Sequence, residues 1–415
     1  MVRLAFAMVL LCVSHAPRVL CHGFASRFPV RHASSPNRLN ERARAGKALR
    51  PQMSAIGETA LGRYTRHRIL ASGTYGTVRL GYLERSNDGV SEVRALKFSP
   101  DYPDEARQEI SMLRKLHHPG VVALQDVFAS TQDGTEVIVL PYAQFDLGNY
   151  LAAERLCEEL VRGLSSQLAE AIAYIHEKLI IHRDIKPSNC LIRVDGSAPC
   201  VDAGGSHAAL RLWLSDFGMA REMHVRSRLK KPAGRIALPM TACVCTAWHR
   251  APELIVVTFT PGRLDAHLMD EQKVMYGMGL DVWSYGAVVY EMLAGKPLAR
   301  SYDGAGAIAR LLQALGPCPG DCPYGALPQW KALVGAAGGV PQRREHIPAT
   351  WTVPLSCLKW IPSDRPTMKE VLCLEWFRGA PSHACVDAAS PPPPPTMTTT
   401  TVGAEAEAAT TCLTA

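Results

Sequence analysis

His182-Arg183-Asp184-Ile185-Lys186-Pro187-Ser188-Asn189 is the stretch that decides how this chain is read. It sets a carboxylate, Asp184, near an ammonium, Lys186, and closes on an amide, Asn189. Two shorter stretches follow in order, Ser215-Asp216-Phe217-Gly218 and Ala251-Pro252-Glu253. One such stretch could arise by chance; three in this order point to a single site. Asp184 has the chemistry to orient an alcohol and accept its proton. Asn189 and Asp216 carry oxygen donors of the kind that a hard cation such as Mg2+ prefers.

Toward the N-terminus the reading acquires a phosphate site. Ala71-Ser72-Gly73-Thr74-Tyr75-Gly76-Thr77-Val78 lies between strand-like runs and fits G-x-G-x-x-G-x-V, with Ala71 in place of the first glycine. Gly73 and Gly76 leave room for backbone N–H groups to approach a phosphate. Ala71 adds one methyl, so weakened but retained nucleotide affinity is expected. Alone this loop reads equally as an ordinary hairpin. Lys97, in Ala95-Leu96-Lys97, gives it meaning as the candidate partner of α- and β-phosphates, and Glu109 is the candidate to hold Lys97 in an ion pair. Phosphoryl transfer asks little covalent chemistry of a protein; it asks that phosphates, Mg2+ and an acceptor hydroxyl be held in line. Lys186 is placed to offset charge developing on the transferred group.

Hydrophobic patterning divides the chain. His67–Leu70, Gly76–Leu80 and Val93–Lys97 read as strands, and a helix is expected over Asp104–Leu116. From about 148 onward the pattern is helical. Leu164, Leu168, Ala171, Ile172 and Ile175 recur at helical spacing, and Asp281–Leu293 is apolar nearly all round, as a buried central helix would be. The expected fold is α+β: a small strand-rich lobe over 61–141, then a larger helical lobe over 142–379. Residues 1–60 read as a leader. Arg3, the apolar run Leu4–Val13 and Ser14-His15-Ala16 fit a signal peptide, and the basic stretch after it resembles a transit peptide. Together they resemble the two-part leaders of algae with secondary plastids; otherwise this is a disordered extension and the compartment is cytoplasm or nucleus. Residues 380–415, with Pro391–Pro395 and Thr398–Thr401, read as a disordered tail.

Charge and cysteine usage exclude some functions. The net charge of +7 comes from nine Lys and Arg against two acids in residues 1–60; the remainder is balanced. A nucleic-acid partner is therefore not expected, nor a membrane once the leader is removed. The 13 cysteines show no repeated C-x-x-C at zinc spacing, so free thiols are expected, with Cys243 and Cys245 as a redox alternative.

On these motifs, residues 64–377 resemble a eukaryotic Ser/Thr protein kinase, which implies a bilobal fold, ATP and Mg2+ as cofactors, and protein substrates. Thr246-Ala247-Trp248-His249-Arg250-Ala251-Pro252-Glu253, Gly295-Lys296-Pro297-Leu298 and Leu315-Gly316-Pro317 resemble the cyclin-dependent and mitogen-activated branch. The resemblance implies Leu70, Val78, Ala95 and Leu191 as pocket walls, Leu140 as gatekeeper, Pro141 and Ala143 as hinge contacts with adenine, and Asp146 near the ribose. It implies Thr241, Thr74 and Tyr75 as regulatory phosphosites, with Arg183 and Arg221 clamping a phosphate on Thr241. It makes Thr246 and Arg250 shapers of a site that takes a proline after the acceptor. It pairs Glu253 with Arg365.

Departures from the family pattern qualify this reading. In Pro103-Asp104-Glu105-Ala106-Arg107-Gln108-Glu109, Arg107 and Gln108 replace an apolar residue and an arginine of the cyclin-dependent kinases' P-S-T-A-I-R-E, so an activating subunit of the standard cyclin type is not expected. Insertions are expected at 196–212 and 222–240, the latter basic. A pseudokinase scaffold or nucleotide-binding module is the alternative to an active transferase.

Overall fold

Alternating burial along the first strands builds the smaller lobe. β1 (Ala55–Thr59), β2 (Gly62–Gly73), β3 (Gly76–Glu84), β4 (Ser91–Phe98), β5 (Asp126–Ala129) and β6 (Glu136–Pro141) form an antiparallel sheet in the order β1-β2-β3-β4-β6-β5. The computed structural model describes residues 55–73, 76–85, 91–195, 209–223, 247–258, 277–301, 303–322, 324–325, 327–338, 347–348 and 350–378. The expected leader to residue 54, Thr74, Tyr75, residues 224–240, Thr241, Cys243, Cys245, Thr246 and the tail lie outside them.

One face of the sheet buries Ile56, Tyr64, Leu83, Leu96, Val137 and Val139. Tyr64 stacks on Phe128 at 4.9 Å and donates its hydroxyl to Asp126 at 2.9 Å, while Thr59 Oγ1 donates to the same carboxylate at 2.7 Å. Thr131 N–H reaches Ile56 O at 2.8 Å, so β1 curls over β5. The domain start expected at 61 is thus too late, because Ile56 is wholly buried in this lobe. Gly57 hid the strand: it breaks the apolar alternation, yet a Cβ there would lie 2.3 Å from the Phe128 ring.

Between β4 and β5 runs α1 (Pro103–Leu113), with proline in its first turn and Asp104 and Glu105 complementing the N-terminal dipole. It ends three residues before the expected Leu116. Its buried face carries Ala106, Glu109, Ile110, Met112 and Leu113.

The larger lobe begins with β7 (Phe145–Asp146), α2 (Leu147–Ala153) and α3 (Glu158–Glu177). The α3 stripe expected from spacing is real: Leu164, Leu168, Ala171, Ile172 and Ile175 are all buried. Then come β8 (Ile180–Ile181), β9 (Cys190–Asp195), β10 (Ala209–Leu214), β11 (Arg221–Glu222), α4 (Pro252–Thr258) and α5 (Gly279–Ala294). α6 (Gly304–Leu315), α7 (Pro328–Ala336), α8 (Thr352–Cys357) and α9 (Met368–Leu372) complete it. α5 is buried along most of its length and stops at Gly295, whose φ of 64° suits glycine.

The short strands are where this lobe departs from a helical reading. β9 and β10 form a hairpin in register from Cys190↔Leu214 to Asp195↔Ala209, so the last four residues of the insertion expected at 196–212 belong to a strand. β10 alternates buried Leu210, Leu212 and Leu214 with half-buried Arg211 and Trp213, a period of two inside a region otherwise dominated by helices.

Beneath the lobe, Arg365 holds Glu253 with two parallel hydrogen bonds of 2.6 and 2.7 Å and donates to Gly279 O at 2.9 Å and Lys359 O at 3.0 Å. The Arg365 side chain is fully buried. Removing one partner of such a pair strands a buried charge. Glu253→Ala is expected to cost about 3–5 kcal/mol in urea unfolding; a loss under about 1 kcal/mol, the range of exposed ion pairs, would contradict the bracing role.

Candidate active site

The glycine-bearing loop is the hairpin of β2 and β3. Ala71 opposes Val78, Ser72 opposes Thr77 and Gly73 opposes Gly76. The hydroxyls of Ser72 and Thr77 lie 3.0 Å apart, zipping the hairpin toward its tip. Gly76 has φ of 145°, and a Cβ on it would come within 2.1 Å of Phe98 O; no other residue fits. Behind the hairpin, β4 brings Ala95 opposite Leu140 and Arg94 opposite Pro141. Ala95 and Leu140 belong to one apolar cluster, with Leu70, Val78 and Leu191 packed against it. The four expected wall residues and the expected gatekeeper Leu140, drawn from β2, β3, β4, β6 and β9, share that cluster. Ala143 lies in the linker between β6 and β7. Asp146 caps α2, its Oδ1 accepting from Asn149 N at 2.9 Å.

Lys97 projects from β4 to the centre. Its Nζ lies 2.6 Å from Glu109 Oε2 on α1 and 2.8 Å from Asp216 Oδ1. Burial opposes charge on all three groups. The two carboxylates nonetheless hold the ammonium above the ordinary lysine range. Lys97 holds Asp216 below the usual carboxylate range against the effect of burial, while burial pushes Glu109 up. Two carboxylates share one ammonium, and Asp216, the more exposed of the two, is the one a cation could reach.

The motif opened above folds into a loop knotted by hydrogen bonds. Asp184 Oδ2 accepts from Lys186 Nζ at 2.7 Å and from Asn189 Nδ2 at 3.0 Å. With its amide nitrogen so committed, Asn189 has Oδ1 to offer a cation. Ser215 N and Oγ both donate to Asn189 O, at 2.9 and 3.0 Å, joining this loop to the turn that carries Asp216. Among the described residues no group of three or more His, Cys, Asp or Glu is placed to hold a metal ion. One amide and one carboxylate fit instead a Mg2+ that takes its remaining ligands from water and phosphate.

Asp281 is the functional residue that motif reading missed. It is wholly buried at the start of α5 and accepts from His182 N at 2.8 Å, Arg183 N at 2.9 Å and His176 Nε2 at 3.0 Å. Those bonds pin a backbone in which Arg183 has φ of 69°. A signal was available: an acid in an otherwise apolar buried helix must have partners. His182 in turn donates from Nε2 to Ser215 O at 3.0 Å and meets Phe217 edge-on at 4.7 Å. Burial pushes the His182 imidazole below the ordinary histidine range.

Other expected residues are placed without being brought to this centre. Arg183 is buried and its Nε donates to Met219 O at 2.6 Å. Arg221 is exposed on β11, opposite Ile181. Arg250 is half-buried just before α4. The phosphosites Thr241, Thr74 and Tyr75, and Thr246, lie outside the described residues.

Comparison with known proteins agrees with this geometry. A protein kinase domain model matches residues 64–377. Cell division control protein 2 homolog 3 of Trypanosoma brucei brucei is 27% identical over 352 residues, covering 79% of this chain and 96% of that protein. Mitogen-activated protein kinase 12 of Danio rerio is 29% identical over 261 residues, covering 61% of this chain and 60% of that protein. The yeast RNA Pol II CTD kinase CTDK-1 complex contains a chain with the same fold, at a TM-score of 0.56 and 20% identity, covering 81% of this chain and 97% of that one. With the family model spanning both lobes and every segment that meets at Lys97, the chain belongs to the protein kinase domain family, and these named relatives come from its cyclin-dependent and mitogen-activated branch.

Proposed function

We propose that this cleft transfers the γ-phosphoryl group of ATP to serine and threonine hydroxyls of protein substrates. The observation that carries the reading is the series of contacts that joins Glu109, Lys97 and Asp216, and then, through the neighbouring Ser215, Asn189 and Asp184. When bound, Mg-ATP supplies the phosphoryl group, and its cation offsets the charge on the phosphates. Asn189 Oδ1 and Asp216 would hold that cation, and Lys97 the α- and β-phosphates. Leu70, Val78, Ala95, Leu140 and Leu191 would wall the adenine, with Pro141 and Ala143 at its polar edge and Asp146 near the ribose. Asp184 orients the acceptor hydroxyl and takes its proton; its own Oδ2 is fixed by Lys186 and Asn189, so little reorganisation is needed. A pseudokinase scaffold would gain nothing from keeping these polar groups together.

Finer features belong to the same proposal. Arg250 and Thr246 shape a site for proline after the acceptor. Phosphate on Thr241 is clamped by Arg183 and Arg221, and Thr74 and Tyr75 are inhibitory phosphosites. A standard cyclin is not the partner, because Arg107 is exposed and paired with Asp104 at 2.8 Å where an apolar anchor would stand.

In a radiolabelled-ATP assay on the full chain, Asp184→Asn is expected to lower transfer by about 10²–10⁴-fold; undiminished transfer would sink the assignment of Asp184. A peptide library should be phosphorylated chiefly where proline follows the acceptor, and indifference to that proline removes the role given to Arg250. Stability should also report His182. The native loop keeps the ring neutral, while the unfolded chain protonates it near the ordinary value of 6.5. Its contribution is therefore complete above that value and is lost as pH falls below it. The unfolding midpoint is expected to drop between pH 7.5 and 5.5, and less steeply in His182→Asn; an equal slope in that variant refutes the assignment.

A further inference from the structure

The helix that carries Glu109 touches the segment following Asp216 at three levels. In its first turn Glu105 lies beside Gly218, where a Cβ would stand in van der Waals contact, 3.4 Å from Glu105 O. One turn on, Gln108 Nε2 donates to Ala220 O at 2.9 Å. Just past its end, Lys115 pairs with Glu222. The segment has its own floor, since β11 is hydrogen-bonded to β8 through Arg221↔Ile181 and Glu222↔Ile180.

Gln108 and Glu109 are consecutive, so the helix cannot swing or rotate to free one without moving the other. With Gln108 on Ala220, Glu109 is set against Lys97, and Asp216 stands two residues before Gly218, which lies against the helix at Glu105. Beyond Pro103 at its start, the exposed residues of α1 are Asp104, Arg107 and Ser111, all polar. Nothing among them resembles the apolar anchor that a partner chain would need in order to press the helix inward.

We infer that Gln108 is a positioning residue: its hydrogen bond to the Ala220 carbonyl latches α1 to the segment following Asp216 and holds Lys97, Glu109 and Asp216 together within a single chain. The latch itself is a statement about conformation; its effect on turnover rests on the transferase reading above. Lys115 and Glu222 steady the far end, but both are partly exposed and contribute less.

The test uses the full chain alone, without an added subunit. Gln108→Glu keeps the length of the side chain but turns a carboxylate toward the carbonyl; Gln108→Arg restores a donor. In Gln108→Glu, hydrogen exchange is expected to rise at the amides of Glu105–Leu113 and Gly218–Glu222. Its kcat is expected to fall about 3- to 10-fold, the worth of one hydrogen bond, with KM for the acceptor peptide unchanged. Gln108→Arg should recover parental exchange and rate. Unchanged exchange in Gln108→Glu, or a Gln108→Arg variant as impaired as Gln108→Glu, overturns the latch. If the parent transfers no phosphate while exchange responds as stated, the latch stands and the transferase reading fails.

Discussion

A single buried ammonium organises this molecule. Lys97 comes from the sheet, Glu109 from the helix and Asp216 from a turn of the larger lobe, and the three meet within 2.8 Å. Neither Lys97 nor Glu109 would be tolerable as a lone charge at this depth. Their mutual need draws three distant segments to one point and joins the two lobes there. The charge balance matters as much as the geometry. Two carboxylates facing one ammonium leave the Asp216 side electronegative, which suits a site meant to receive a divalent cation with its phosphates.

A second buried charge does for the catalytic loop what Lys97 does for the lobes. Asp281 offers no chemistry to a substrate, yet it accepts from two successive backbone amides and a histidine. That holds Arg183 in a left-handed conformation which a non-glycine residue rarely adopts. The strain is local and the compensation lies in a largely buried helix of the larger lobe. The loop's functional side chains are thereby mounted on the core rather than left to a flexible connection, which is the physical requirement for holding reacting groups in line.

Legibility followed physical type. Motifs in which one residue's chemistry needs another nearby, such as Asp184 with Asn189 or Lys97 with Glu109, could be read because their spacing and order are constrained by what they bind. The α3 stripe could be read because five apolar residues at helical spacing have one stable use. What escaped were features set by tertiary context. β1 contains a glycine that only the Phe128 ring explains, and β8 and β11 are two residues each, too short to show any period. Asp281 was visible as a residue but not as a partner, since its contacts lie about a hundred positions away in the chain. The end of the hairpin insertion was misplaced because Ala209 and Leu210 continue an Ala-rich run and join β10 only by pairing with Asp195 and Val194.

The departures from the family's usual pattern share a logic. Each altered residue, or its neighbour, has a local partner. Beside Ala71, the Ser72 and Thr77 hydroxyls bond across the hairpin. His249, standing where the related branch has tyrosine, is buried and pairs with Glu291 at 2.7 Å, while its carbonyl accepts from Ser284 at 3.1 Å. Gln108, in place of an arginine, reaches a backbone carbonyl rather than an anion. What that exchange requires is a side-chain N–H donor at this position, which satisfies a carbonyl inside the crevice. The substitutions therefore do not read as decay of the site. Each is matched by contacts that the chain makes with itself, and the ammonium, the amide and the three carboxylates at the centre are untouched.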